Sequence, residues 1–178
     1  MLECSGARRA LAWGAYVSDR DLLRMTDDEV ARVLAEGQRV QVATTNPDGT
    51  VHLVPLSYFV SDGPVGTVGL WTDPASRKVA NLRRNPQVTC LVEMGTEFAD
   101  FRAVQIVGRA SLSSDHAASC AAGEALFERG MGSPLSDDLR AYVANLAHQR
   151  VAVTVTPERV VSWDHRKLAG ARPDDIGS

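Results

Sequence analysis

The 178-residue chain has few of the usual markers of a metal, disulfide or nucleic-acid protein. Its three cysteines, Cys4, Cys90 and Cys120, are widely spaced and form neither a metal pattern nor a disulfide framework. They read as buried fillers in a protein of the reducing cytoplasm. His116, His148 and His165 stand far apart without ligand spacing, so no metal is expected. A net charge of −3 at pH 7 lacks the basic excess of a nucleic-acid binder. No apolar run has the length of a membrane span, and the N-terminus lacks the basic-then-apolar pattern of a signal peptide. G-x-G-x-x-G, P-loop and H-E-x-x-H motifs are all absent, which removes support for those chemistries. Neither nucleic acid nor membrane is an expected partner.

With 44% hydrophobic and 23% charged residues, the composition is that of an ordinary globular domain able to bury a core. Residues 1–25 show no clear period, although Leu11, Trp13 and Tyr16 offer packing groups; they read as an N-terminal arm. Thr26 to Glu29 is a capping box opening a helix, with Val30, Val33 and Leu34 as its apolar face and Gly37 as its stop. Val40, Val42 and Thr44 alternate as a strand, and Asn46-Pro47-Asp48-Gly49 is hairpin chemistry. Val51 to Val60 reads as one long strand whose Pro55 demands an edge or a bulge. Further strands are expected at Thr67 to Thr72, Gln87 to Glu93, Arg102 to Leu112 and Arg150 to Thr156. Gly108 marks a bulge, and Pro157 a break before the chain resumes at Arg159 to Trp163. Two helices fall between the last strands, Asp115 to Glu128 and one capped by Ser136 with Leu139, Val143 and Leu146 in phase. Residues 169–178 read as a loose tail.

The most informative stretch runs from Leu70 to Pro86. Trp71 and Thr72 close a strand, Asp73 can cap a helix, Pro74 suits its first position, and Pro86 ends it. Ala75, Val79 and Leu82 form one stripe; Arg77, Asn81 and Arg84 form another, with Lys78 beside it. Ser76, Arg77 and Lys78 thereby gather a hydroxyl and two cations at a helix start, where free N–H groups and the dipole already favour an anion. A solvated basic face is the alternative reading. Glu93, Glu97 and Asp100 surround a loop; solvated carboxylates are the commoner case, and no catalytic acid or base stands out.

Strands joined mostly by hairpins predict a mainly β (α+β) protein, a six-stranded-type antiparallel split β-barrel with a few packed helices spanning residues 26–168. Four ordered motifs then carry a resemblance: Asp48-Gly49 leading into His52-Leu53-Val54-Pro55-Leu56-Ser57; an aromatic-Thr pair followed by Ser76-Arg77-Lys78 and Asn85-Pro86-Gln87-Val88; Val104 to Ala110; and Thr156 to Trp163. From Asp27 to Leu168 the chain resembles the split-barrel flavin-binding superfamily typified by pyridoxamine 5′-phosphate oxidase. That resemblance implies a homodimer with two flavin-type cofactors at its interface and a small-molecule substrate. It gives the cofactor phosphate to Thr72, Ser76, Arg77 and Lys78, with Trp71 and Asn81 adjoining. It gives the ring to His52 and Val54, Pro55, Leu56 and Ser57, and a contact from the partner chain to Trp163.

The pattern departs from the oxidase in three places. The ring-facing strand carries no Arg or Lys. Ala103 stands where a Gln touches the ring. The C-terminal substrate motif is reduced to Arg166-Lys167-Leu168. The run Lys78-Val79-Ala80-Asn81-Leu82-Arg83-Arg84 is similar to a related branch that uses the deazaflavin coenzyme F-420. The expectation is an FMN- or F-420-dependent oxidoreductase transferring a hydride. The alternative is a non-catalytic flavin or haem carrier, for which His52 and His165 are the candidate ligands.

Overall fold

The computed structural model describes residues 21–170. Cys4, most of the expected N-terminal arm and the tail beyond Gly170 lie outside the described residues. Helix α1 (Asp27–Glu36) opens with the predicted box: Thr26 Oγ1 accepts from the Glu29 N–H at 3.3 Å, and Glu29 Oε2 accepts from the Thr26 N–H at 2.7 Å. Its Val30, Val33 and Leu34 are buried, and Gly37 ends it.

Strand β1 (Val40–Thr45) buries Val40, Val42 and Thr44 and turns through Gly49, φ 84°, into β2 (Val51–Leu56). The expected long strand to Val60 is in fact two. The ladder stops after Leu56, and Phe59–Val60 forms a separate short β3 paired with β4 (Val68–Thr72). Helix α2 (Arg77–Arg84) follows, then β5 (Gln87–Met94), a 3₁₀ turn (Phe98–Asp100) and β6 (Arg102–Ser113). Helices α3 (His116–Met131) and α4 (Asp137–Ala147) lead to β7 (Val151–Asp164) and a 3₁₀ segment (His165–Gly170).

The sheet is antiparallel throughout, in the order β2-β1-β5-β6-β7-β4-β3. It therefore has seven strands, the two-residue β3 being the addition to the expected count. Strands β2 and β3 lie at opposite edges, yet only Ser57 and Tyr58 separate them. Laid flat, seven strands would hold the edges roughly 29 Å apart. Three extended Cα steps reach only about 11 Å. The sheet must curl until its edges nearly meet, which is the predicted split barrel. Tyr58 fills the seam, 1% exposed, its hydroxyl donating to Leu34 O at 2.7 Å. Inside lie Val40, Val42, Leu70, Cys90, Val104, Ile106 and Val153, with α1 packed against them.

Pro157 does not break β7, which runs unbroken for 14 residues. Pro157 pairs with Gly108 and Arg159 with Val107, so Glu158 is the extra residue of a bulge. The close approach requires the glycine: a Cβ on Gly108 would stand 2.2 Å from Thr156 O. Helix α3 runs past the expected Gly130 stop to Met131 and ends at Gly132, φ 68°.

Candidate functional site

Between β4 and α2 the helix begins later than the sequence suggested. Asp73 does not cap it. Its Oδ1 accepts from the Ala75 N–H at 2.7 Å and its carbonyl from the Ser76 hydroxyl at 2.7 Å, a local turn that holds Ser76 extended as the residue before Arg77. Ala75 is consequently exposed rather than part of the buried stripe. The Ser76 hydroxyl is committed to that turn, so no side chain caps α2, and no acidic residue occupies its first turn. The helix presents uncapped N–H groups beside exposed Arg77 and half-buried Lys78. Partial burial pulls the Lys78 ammonium below its ordinary value, and the Asp73 carboxylate opposes that shift. Thr72 is buried as the last residue of β4. Such a donor set fits a phosphate group.

The β1–β2 hairpin tip lies beside this turn. Asp48 is held below the usual carboxylate range by the Thr50 hydroxyl and N–H, with the Arg77 charge adding a smaller pull. Asn81 does not share the exposed stripe of Arg77. It is buried with Val79 and Leu82, its amide donating to Thr44 Oγ1 at 3.1 Å and Asn46 Oδ1 at 3.0 Å. Arg84 donates to Thr45 O, so two α2 side chains hold the hairpin. His52 pairs with Thr44 across β2–β1, which places it next to the Asn81 amide.

Along β2, His52, Val54 and Leu56 are half-buried, while Pro55 and Ser57 are exposed at an open sheet edge. Trp71 is turned the other way from Thr72, and its indole N–H donates to Ser119 Oγ of α3 at 2.9 Å. Trp163 sits near the far end of β7, opposite Ala103 and 6.4 Å from Phe101. Four strand spacings, roughly 19 Å, separate its strand from β2 along the sheet. One chain thus brings the α2 turn, the hairpin and β2 together.

Sequence reasoning missed Arg39. The hairpin register that pairs Val40 with Leu56 carries Arg39 opposite Ser57, whose hydroxyl accepts from its guanidinium. The cation absent from the β2 sequence is therefore present in space, supplied by the neighbouring strand. Extending the turn register by one pair was the signal available. Arg39, Gln38, Ser57, Tyr58, Phe127 and Arg129 line a cavity of about 560 Å³ at this end of β2. Arg129 is already committed there, donating to Leu34 O at 2.8 Å and to Gly37 O, with its guanidinium 4.3 Å from the Tyr58 ring centroid.

The model of the pyridoxamine 5′-phosphate oxidase family matches residues 26–164. The chain belongs to that family. Among solved structures it is similar to the conserved hypothetical protein Rv2991 from Mycobacterium tuberculosis: 33% identity, 86% of this chain and 93% of that one covered, TM-score 0.79. An F420 reductase aligns at 20% identity over 72% of this chain and 93% of that one, TM-score 0.53. HutZ, the haem storage protein from Vibrio cholerae, aligns at 16% over 78% and 96%, TM-score 0.58. The last two show the shared fold alone. No curated protein matches. No helix among the described residues is long and apolar enough to cross a membrane.

Proposed function

We propose that this member of the pyridoxamine 5′-phosphate oxidase family binds a phosphate-bearing flavin or deazaflavin, FMN or F-420, and uses it to oxidise or reduce a small organic substrate. The observation that carries the reading is the uncapped, acid-free first turn of α2 with Ser76, Arg77 and Lys78 beside the hairpin tip. On this reading Thr72, Arg77 and Lys78 hold the phosphate with the free N–H groups of the α2 start, Ser76 joins them by turning its hydroxyl away from Asp73 O, and His52, Val54, Pro55, Leu56 and Ser57 line the ring. The bound cofactor supplies the hydride chemistry. The chain's own part is to bind and orient, with Arg39 as the cation at the β2 end and the adjoining cavity as room for substrate. On the same reading Trp163, at the far end of β7 beside Ala103 and Phe101, completes the site from a second copy of the chain.

The test is a fluorescence titration of apo-protein with FMN, F-420 and riboflavin. A charge-assisted contact contributes about 1.5–3 kcal/mol, so Arg77→Ala and Lys78→Ala should each weaken FMN and F-420 binding roughly ten- to a hundredfold and affect riboflavin less. Arg83→Ala is the control: it is exposed in the last turn, whereas Arg84 is tied to Thr45. Parental affinity in both variants would reduce the basic run to a solvated face. A Soret band in the purified protein would assign the barrel to haem carriage instead.

A further inference from the structure

The cavity at the end of β2 holds two guanidiniums whose partners are all neutral. Arg39 donates to the Ser57 hydroxyl, and Arg129 donates to the carbonyls of Leu34 and Gly37. Neither forms an ion pair among the described residues. Both are tied to the same stretch of wall. Arg129 holds Gly37, two residues before Arg39, and its guanidinium lies over the ring of Tyr58, the neighbour of Ser57. Arg129 spends one amino nitrogen on both carbonyls. Its Nη1 and Nε have no partner among the described residues, and the side chain is half-buried on the cavity wall. One carboxylate belongs to the lining, that of Glu36, and it faces Arg102 at 3.9 Å in a separate small cavity. Two guanidiniums less one carboxylate leave the lining with a net charge of +1. Apart from Arg129, the α3 side of the lining is apolar. It consists of Leu126, Phe127 and Met131, with open space at Gly130, where a Cβ would meet nothing within 4 Å.

We propose that this cavity binds the substrate and that the substrate is a small apolar or aromatic monocarboxylate. Its carboxylate is held by Arg39 and Arg129, and its hydrocarbon body lies on Phe127 and Met131. The assignment to substrate rests on the cofactor reading; the carboxylate site itself stands on the cavity. Three features support it. A guanidinium fork matches the two oxygens of a carboxylate, and charge-assisted bonds of this kind are the strong ones. A net +1 balances a monoanion, whereas a phosphate dianion would bring one charge too many against Glu36. An open volume of about 560 Å³ with apolar walls and a few converging donors has the character of a small-molecule site. Because both arginines bond only neutral groups here, an incoming carboxylate breaks no ion pair.

The experiment titrates the full-length protein by calorimetry with naphthoate, its neutral amide and naphthyl phosphate, first without cofactor and then with cofactor bound. Naphthoate should bind one equivalent per chain, and the amide and the phosphate should each bind roughly tenfold or more weakly. Arg39→Gln, a change at an exposed side chain, should weaken naphthoate roughly ten- to a hundredfold and leave the amide unchanged, and Arg39→Lys should restore part of the loss. In the cofactor-loaded protein naphthoate should shift the flavin or deazaflavin absorption, because Ser57 holds Arg39 and, on the cofactor reading, lines the ring. Equal affinity for acid and amide, or parental naphthoate affinity in Arg39→Gln, would overturn the carboxylate site. Tighter binding of the phosphate would overturn the monoanion class, and an unmoved absorption band would overturn the assignment to substrate. The titration without cofactor separates this site from the phosphate turn at α2, so either fails without the other.

Discussion

Tyr58 closes the seam of the barrel, and burial of its phenol has a measurable consequence. Burial lifts its pKa from the ordinary 10.0 to about 12, against the opposing pull of the Arg129 guanidinium. The folded state keeps a proton that the unfolded chain releases. The stability this supplies is complete below pH 10 and is lost as pH rises from about 10 to about 12. Tyr58→Phe should flatten that alkaline loss. It should also cost about 1 kcal/mol at neutral pH, the usual worth of a bond such as the one to Leu34 O. Denaturant melts from neutral to strongly alkaline pH read both effects, and an unchanged alkaline slope would place its origin elsewhere. At this scale the sequence was partly legible. Ser76, Arg77 and Lys78 were readable because they are neighbours on one turn. Asn81 was misplaced because its partners, Thr44 and Asn46, belong to another element. Arg39 was missed because its importance depends on Ser57 across the hairpin.

The β6–β7 ladder is the element on which the geometry of the long strands turns. Gly108 faces the Pro157 bulge with no room for a methyl group. Gly108→Ala should destabilise the fold by about 3 kcal/mol, in the range of severe steric lesions. Gly130 offers the contrast: it lies within α3, and a Cβ added there would meet nothing within 4 Å. Gly130→Ala should stabilise by about 0.5–1 kcal/mol through helix propensity and the loss of unfolded-state freedom. Paired thermal melts check the two signs, and equal effects would contradict the packing described. Caps and turns were legible at this scale, as at Thr26, Ser136 and Gly49. The Pro157 break was misread because a proline stops a ladder only where no bulge absorbs it, and the glycine that permits the bulge is on a different strand.

For the whole molecule, the outward face of the sheet carries apolar groups with no partner among the described residues. Val51 and Leu53 are 66% and 61% exposed, and Val161 on β7 is 38% exposed. The ladder aligns Leu53 with Ala43 and Pro55 with Gln41, continuing to Leu91 on β5. On the dimer reading a second copy covers this face and delivers Trp163. Leu53→Lys should then yield a folded monomer with weakened cofactor binding, because Leu53 contributes nothing to the core. Light scattering after size exclusion, with circular dichroism for the fold, decides it. A Leu53→Lys protein that remains dimeric would move the interface elsewhere, and a parent that is a cofactor-binding monomer would remove it.

A few neighbouring residues settle helix α1 and its cap, the turn of the β1–β2 hairpin, and the gathering of a hydroxyl and two cations at the start of α2. Those outcomes follow from dihedral preferences, side-chain periodicity and local hydrogen bonds. Tertiary packing settles the curl of the sheet that brings Tyr58 between its edges, the inward turn of Asn81, the bond from Arg39 to Ser57, and the meeting of His116 with His148. Each depends on partners far away along the chain, and the hydrophobic effect that gathers the core is non-directional, so the apolar periodicity of a segment says which face is buried and not which distant residue it meets.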